Sequence, residues 1–114
     1  MAGGDDPGDV ARFADMLAAL GTEPRLRIVR LLLAAYPEGV VAGDIAAELG
    51  IAGSTLSHHL EKLRNENLVT VRREGTFLRY AANAAALRAL LAFLYAECCT
   101  RSCAVQPNEV VCNC

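Results

Sequence analysis

The stretch GDIAAELGIAGSTLSHHLEKLRNENLVTVRREGTFLRYAA, Gly43–Ala82, decides the fold. Its opening reads as a short helix over about Ala42–Leu49 that stops at Gly50. Ile51-Ala52-Gly53 makes a tight turn, and Ser54 opens a second helix that runs to about Asn65. Two helices joined by a short glycine-containing turn form a helix-turn-helix. The pattern then changes from helical to extended. Leu68–Arg72 and Thr76–Ala81 are β-rich runs around Arg73-Glu74-Gly75, where the glycine suits a hairpin turn. A basic hairpin after a helix-turn-helix is a wing. The expected fold class is mainly α with a small β-hairpin (α+β), a winged helix-turn-helix.

The second helix has two faces. At about 100° per residue, Leu60 and Leu63 fall within about 40° of Leu56 and define a buried stripe. Ser54, His58, Glu61, Lys62 and Asn65 point roughly the other way, with Thr55 and Ser57 at the flanks. Hydroxyls, an imidazole and a lysine can approach base edges and phosphates without steric conflict. His59 lies nearer the leucine stripe and is expected to be partly packed. An isolated solvated helix shows the same pattern. The order helix, turn, helix, basic hairpin is what favours double-stranded DNA as the partner. The expected contacts are Ser54, Thr55, Ser57, His58, His59 and Lys62 on the helix, with Arg72, Arg73 and Arg79 on the wing.

The net charge of −2 argues against nucleic acid, but its distribution does not. Residues 1–24 hold five acids against the single Arg12, whereas residues 54–79 hold Lys62, Arg64, Arg72, Arg73 and Arg79 against three glutamates. Basic character is therefore local, as a phosphate-binding surface requires.

Outward from this centre, 114 residues fit one domain. Residues 1–8 read as a disordered tail, 9–103 as the DNA-binding and dimerisation domain, and 104–114 as a flexible tail. A helix is expected over about Asp9–Leu20, burying Val10, Phe13, Ala14, Leu17 and Leu20. Thr22 caps the next, with Pro24 in its first turn and Leu26, Ile28, Val29, Leu32 and Leu33 buried. Asn83 caps a last helix through about Arg101. Along it, Leu87, Leu91, Leu94 and Cys98 recur at i, i+4, i+7 and i+11, an apolar stripe larger than one small wing domain needs. Asn83, Arg88 and Glu97 make membrane insertion of Tyr80–Cys99 costly, so no membrane partner is expected. The N-terminus MAGGDDPGD shows no secretory pattern, and a cytoplasmic location is expected.

STLSHHLEKLRNENLVTVRREGTFLRYAA closely resembles the recognition helix and wing of the ArsR/SmtB family of winged-helix metalloregulatory repressors. EPRLRIVRLLL resembles the family's second helix, and the likeness spans about Asp9–Ala96. One departure is Gly53, where many members have Gln. The resemblance implies a transcriptional repressor, active as a homodimer through its first and last helices, that needs no cofactor to bind DNA. Two familiar inducer sites are absent. Val41 and Gly43 stand where one arsenic-sensing type has its Cys-x-Cys pair, and the last helix lacks the histidines of zinc sensors.

What remains is the cysteine set: all five, Cys98, Cys99, Cys103, Cys112 and Cys114, lie in the last nineteen residues. Soft thiolates select thiophilic ions. If the last helix reaches Cys103, Cys99 and Cys103 are i, i+4 neighbours with Cys98 one step around. Trivalent arsenic takes three thiolates and no fourth ligand. The set resembles that of family members sensing arsenite, antimonite or methylated arsenicals through an adjacent cysteine pair plus a third cysteine. As(III) or Sb(III) is thus the expected inducer, at Cys98, Cys99 and Cys103, with Cys112 and Cys114 as alternative ligands. Two other readings stay open: a thiol redox switch, and a zinc or cadmium site, although no two cysteines have the C-x2-C spacing of structural zinc. A winged-helix protein–protein module is a third class, disfavoured by the basic wing. An enzyme is not expected, since neither Cys98 nor Cys99 starts a Cys-x5-Arg loop.

Overall fold

A computed structural model of the chain describes residues 7–101. The elements are α1 (Pro7–Leu20), α2 (Glu23–Ala34), β1 (Val40–Val41), α3 (Ala42–Leu49), α4 (Gly53–Asn65), β2 (Val69–Glu74), β3 (Phe77–Ala82) and α5 (Ala84–Tyr95). This is a winged helix-turn-helix, with α3 and α4 as its two helices and β2–β3 as its wing. Cys103, Cys112 and Cys114, with the expected tail 104–114, lie outside the described residues.

α1 begins at Pro7, two residues before the expected start. Proline suits a first helical turn, where its missing N–H would have no partner in any case. Thr22 caps α2 by accepting from the Arg25 N–H at 3.4 Å. Asn83 caps α5: its Oδ1 accepts from the Ala86 N–H at 3.1 Å, and its Nδ2 donates to the Asn67 carbonyl at 2.9 Å. One side chain thus starts the last helix and pins it to the turn before the wing.

The core gathers one stripe from each element. Phe13 and Met16 of α1 meet Ile28, Val29 and Leu32 of α2, Ile45 of α3, and Leu56, Leu60 and Leu63 of α4. Leu68, Val69, Ala82 and Leu90 close it beneath the sheet and α5. The predicted leucine stripe of α4 is fully buried. Two other faces differ from expectation. Val10 and Leu17 on α1 are exposed, as are Leu26 and Leu33 on α2, while Met16 goes inside. A run of apolar residues at 3–4 spacing covers more arc than one small core can take up, so only part of each stripe is covered.

The sheet has three antiparallel strands in the order β1-β3-β2. β1 has no signature in the sequence, because two residues show no alternation. Val40 and Val41 pair with Tyr80 and Arg79. Gly39, at φ 82°, lets that edge approach: a Cβ there would overlap the Tyr80 carbonyl oxygen. The wing is longer than expected at its tip. Glu74 pairs with Phe77, leaving a two-residue loop, Gly75-Thr76, with Gly75 at φ 61°.

α5 stops at Tyr95 and not at Arg101; Ala96–Cys99 form turns, and Cys99 has φ 64°. Phe93 stacks on Phe13 of α1 with ring centroids 4.5 Å apart, joining the first and last helices. Leu90 is buried, yet Leu91, Leu94 and Tyr95 are each more than half exposed. Among the described residues no helix is long and apolar enough to cross a membrane.

Candidate nucleic-acid interface and thiol site

Because Leu56, Leu60 and Leu63 anchor α4, its opposite face is fixed outward. Ser54, Thr55, Ser57, His58, Lys62 and Asn65 are all exposed. His58, Glu61, Lys62 and Asn65 line an open pocket of about 210 Å³ on that face. These groups combine donors, acceptors and a cation, the set that can meet base edges and phosphates.

His59 is placed differently from its neighbour. It is half-buried, and its Nδ1 lies 3.2 Å from Nη1 of Arg25. Guanidinium only donates, so Nδ1 accepts and the ring proton sits on Nε2. Burial lowers the His59 pKa below its ordinary 6.5, and the charges of Arg25 and His58 lower it further. Arg25 also donates from Nε to the Ala19 carbonyl at 2.6 Å. The ring therefore serves first as a neutral strut between α2 and α4.

The three wing arginines are not equivalent. Register and the period of two put Arg72, Glu74, Phe77 and Arg79 on one face, and Arg73, Leu78, Val71 and Tyr80 on the other. Glu74 binds both arginines of its face. Arg72 donates to Oε2 from Nη2 at 2.6 Å and from Nε at 3.0 Å, and Arg79 donates from Nε to Oε1 at 2.9 Å. Arg79 also reaches the Gly39 carbonyl at 3.2 Å. These hydrogen bonds, Arg72's first, hold the Glu74 pKa below the usual carboxylate value. One carboxylate thus offsets part of the expected phosphate-binding charge, and Arg73 stands exposed on the other face. Sequence reading missed Arg25 and Glu74. Arg25 gave no local signal, but the i, i+2 spacing of Arg72 and Glu74 in a strand already implies one face.

At the far end, Cys98 and Cys99 lie beyond α5, not on it. In a helix, adjacent side chains diverge by about 100°. The turn, with Cys99 in the left-handed region, instead brings the two sulfurs to 3.3 Å. Two ligands of one ion with bonds of about 2.3 Å stand only slightly farther apart. Cys98 is a half-buried free thiol, and Cys99 is disulfide-bonded. Among the described residues no three His, Cys, Asp or Glu side chains form a metal cage.

The helix-turn-helix domain family matches residues 20–72. The nodulation protein NolR of Rhizobium meliloti is 35% identical over 75% of this chain and 68% of its own. A putative arsenical resistance operon repressor, ArsR2 of Halobacterium salinarum, is 32% identical over 68% of this chain and 65% of its own. Among solved structures, the homodimeric winged helix-turn-helix DNA-binding domain of a possible ArsR-family regulator from Mycobacterium bovis superposes with a TM-score of 0.62. It is 33% identical, covering 85% of this chain and 92% of that one.

Proposed function

The chain belongs to the ArsR/SmtB family of winged helix-turn-helix, DNA-binding transcription regulators, and on that premise we propose that it is a homodimeric repressor released from its operator by trivalent arsenic or antimony. α4 enters the major groove, with Ser54, Thr55, Ser57, His58 and Lys62 toward bases and phosphates. Arg73 holds the backbone, and Arg72 and Arg79 approach it as a pair around Glu74. Exposed Val10 and Leu17 of α1, with Leu91, Leu94 and Tyr95 of α5, supply the apolar surface that a partner copy covers.

The observation that carries the inducer is the pair of sulfurs 3.3 Å apart just past the last turn of α5. Once Cys99 is reduced, both thiolates can bind one soft ion, with Cys103 as third ligand or Cys112 or Cys114 in its place. Ligation there reshapes the end of the dimer helix and so the angle between the two reading heads. A coupling of about 3 kcal/mol weakens DNA binding roughly 150-fold, enough for derepression.

A second reading keeps the repressor and makes the thiols a redox switch. It is favoured by the free Cys98 thiol beside a disulfide-bonded Cys99. One titration separates them: anisotropy of a DNA duplex selected from a random pool by the native protein, with arsenite, methylarsenite, antimonite, zinc, cadmium and peroxide added in turn. Release by arsenite under reducing conditions supports the first reading, and release by peroxide alone supports the second.

A further inference from the structure

Phe77 is the most exposed large apolar residue among those described, at 62%, and it stands on the last rung of the wing opposite Glu74. An exposed phenyl ring at a loop tip has no role in the core, which ends at Val69 and Ala82 at the other end of the same hairpin. The strands beneath it are held stiff. Glu74 ties Arg72 to Arg79 across the ladder, and Arg79 is tied in turn to the Gly39 carbonyl on the neighbouring loop. The ring is thus presented on a braced support, flanked by cations on both faces of the hairpin.

Building on the DNA-binding reading above, we propose that Phe77 is an apolar wedge that enters the DNA minor groove beside the major-groove site of α4. Reach favours it. From the buried Val69 rung to the tip is five strand steps, about 17 Å, so the ring stands well clear of the core that anchors α4. Width favours it too: the minor groove, about 6 Å across, excludes a helix but admits a hairpin end carrying one ring. Apolar side chains use such an entry to contact the sugar walls and loosen base stacking at deformable steps. The arginines around the tip supply the attraction to the flanking phosphates. Sequence preference then arises outside the bases that α4 reads, through the ease with which the flanking step opens.

The chain contains no Trp, so Phe77→Trp places a single indole at the tip, excited selectively beyond the absorption of the three tyrosines. With the pool-selected duplex, its emission is expected to shift and be quenched on binding. Phe77→Ala should bind that duplex roughly tenfold more weakly, the factor that burying a phenyl ring is worth, at an unchanged salt slope. Its melting temperature should stay close to the native protein's, since the residue is exposed and outside the core. Unchanged emission on a bound duplex, together with native affinity for Phe77→Ala, overturns the wedge and leaves the DNA-binding reading standing. An emission shift that follows protein concentration without DNA overturns it in favour of a contact between copies. If the native protein selects no duplex at all, the DNA-binding reading itself fails, and the wedge with it.

Discussion

Arg25 Nη1 lies 3.2 Å from His59 Nδ1 while the same guanidinium grips the Ala19 carbonyl, so one side chain fastens the recognition helix to the end of α1. The contact joins residues 34 apart in sequence. It holds only while the imidazole is neutral, because a protonated ring has no acceptor to offer.

Stability should therefore fall on acidification through this histidine. Its folded pKa is lowered by burial, then by Arg25 and His58, so the unfolded chain binds the proton more readily. The stabilisation is fully present above the unfolded value of 6.5 and is lost as pH falls from there through the lowered folded pKa. Melting temperatures between pH 8 and 5 should drop more steeply for the native protein than for His59→Gln. Parallel curves would remove His59 as the titrating group.

The two adjacent histidines should separate by assay. His58→Ala is expected to weaken binding to the selected duplex by about 1–3 kcal/mol with little change in melting temperature. His59→Ala should lower the melting temperature first, since its ring is packed against Arg25. Paired affinity and melting measurements on both variants decide it.

Releasing the wing's own counterion should strengthen indiscriminate binding. Glu74→Gln frees Arg72 and Arg79 for phosphates, so affinity for random duplex should rise and the log–log salt slope should steepen by about one per subunit. Arg73→Ala should make the slope shallower by about one. Salt titrations of the two variants against random DNA give both numbers.

Cys98→Ser should leave duplex binding intact and abolish release by arsenite, because a hydroxyl does not replace a thiolate toward a soft ion. Cys103→Ser, compared with the Cys112→Ser/Cys114→Ser double variant, identifies the third ligand. Thiol counting with and without arsenite on each variant reads the outcome directly.

If the proposed dimer forms through α5, Leu94→Glu should leave the chain monomeric at micromolar concentration without unfolding it, since this side chain is half exposed in the single chain. Leu90→Ala, at a fully packed position, should instead cost about 2–5 kcal/mol of stability. Sedimentation for the first and denaturant midpoints for the second distinguish interface from core.

What the sequence determined by itself is everything carried by short-range periodicity. The Leu56–Leu60–Leu63 stripe fixed which face of α4 is buried and hence which is outward. Gly50, Thr22 and Asn83 marked helix ends through chemistry that acts within a few residues. The β-rich runs around Gly75 announced the hairpin. Periodicity also overreached, counting Leu26, Leu33, Val10 and Leu17 as core because it measures a face and not what covers it.

Only the tertiary structure decided the pairings between distant elements. No local pattern joins Arg25 to His59, gives Val40–Val41 a strand partner, or shows that Glu74 holds two of the three wing arginines. The end of α5 is of the same kind. Ala96-Glu97-Cys98-Cys99 contains no glycine or proline to stop a helix, yet the chain turns there and the sulfurs converge. Helix propensity differences are tenths of a kcal/mol per residue, so the composition of this segment does not fix the boundary, nor whether two neighbouring thiols diverge or meet; the left-handed backbone at Cys99 does.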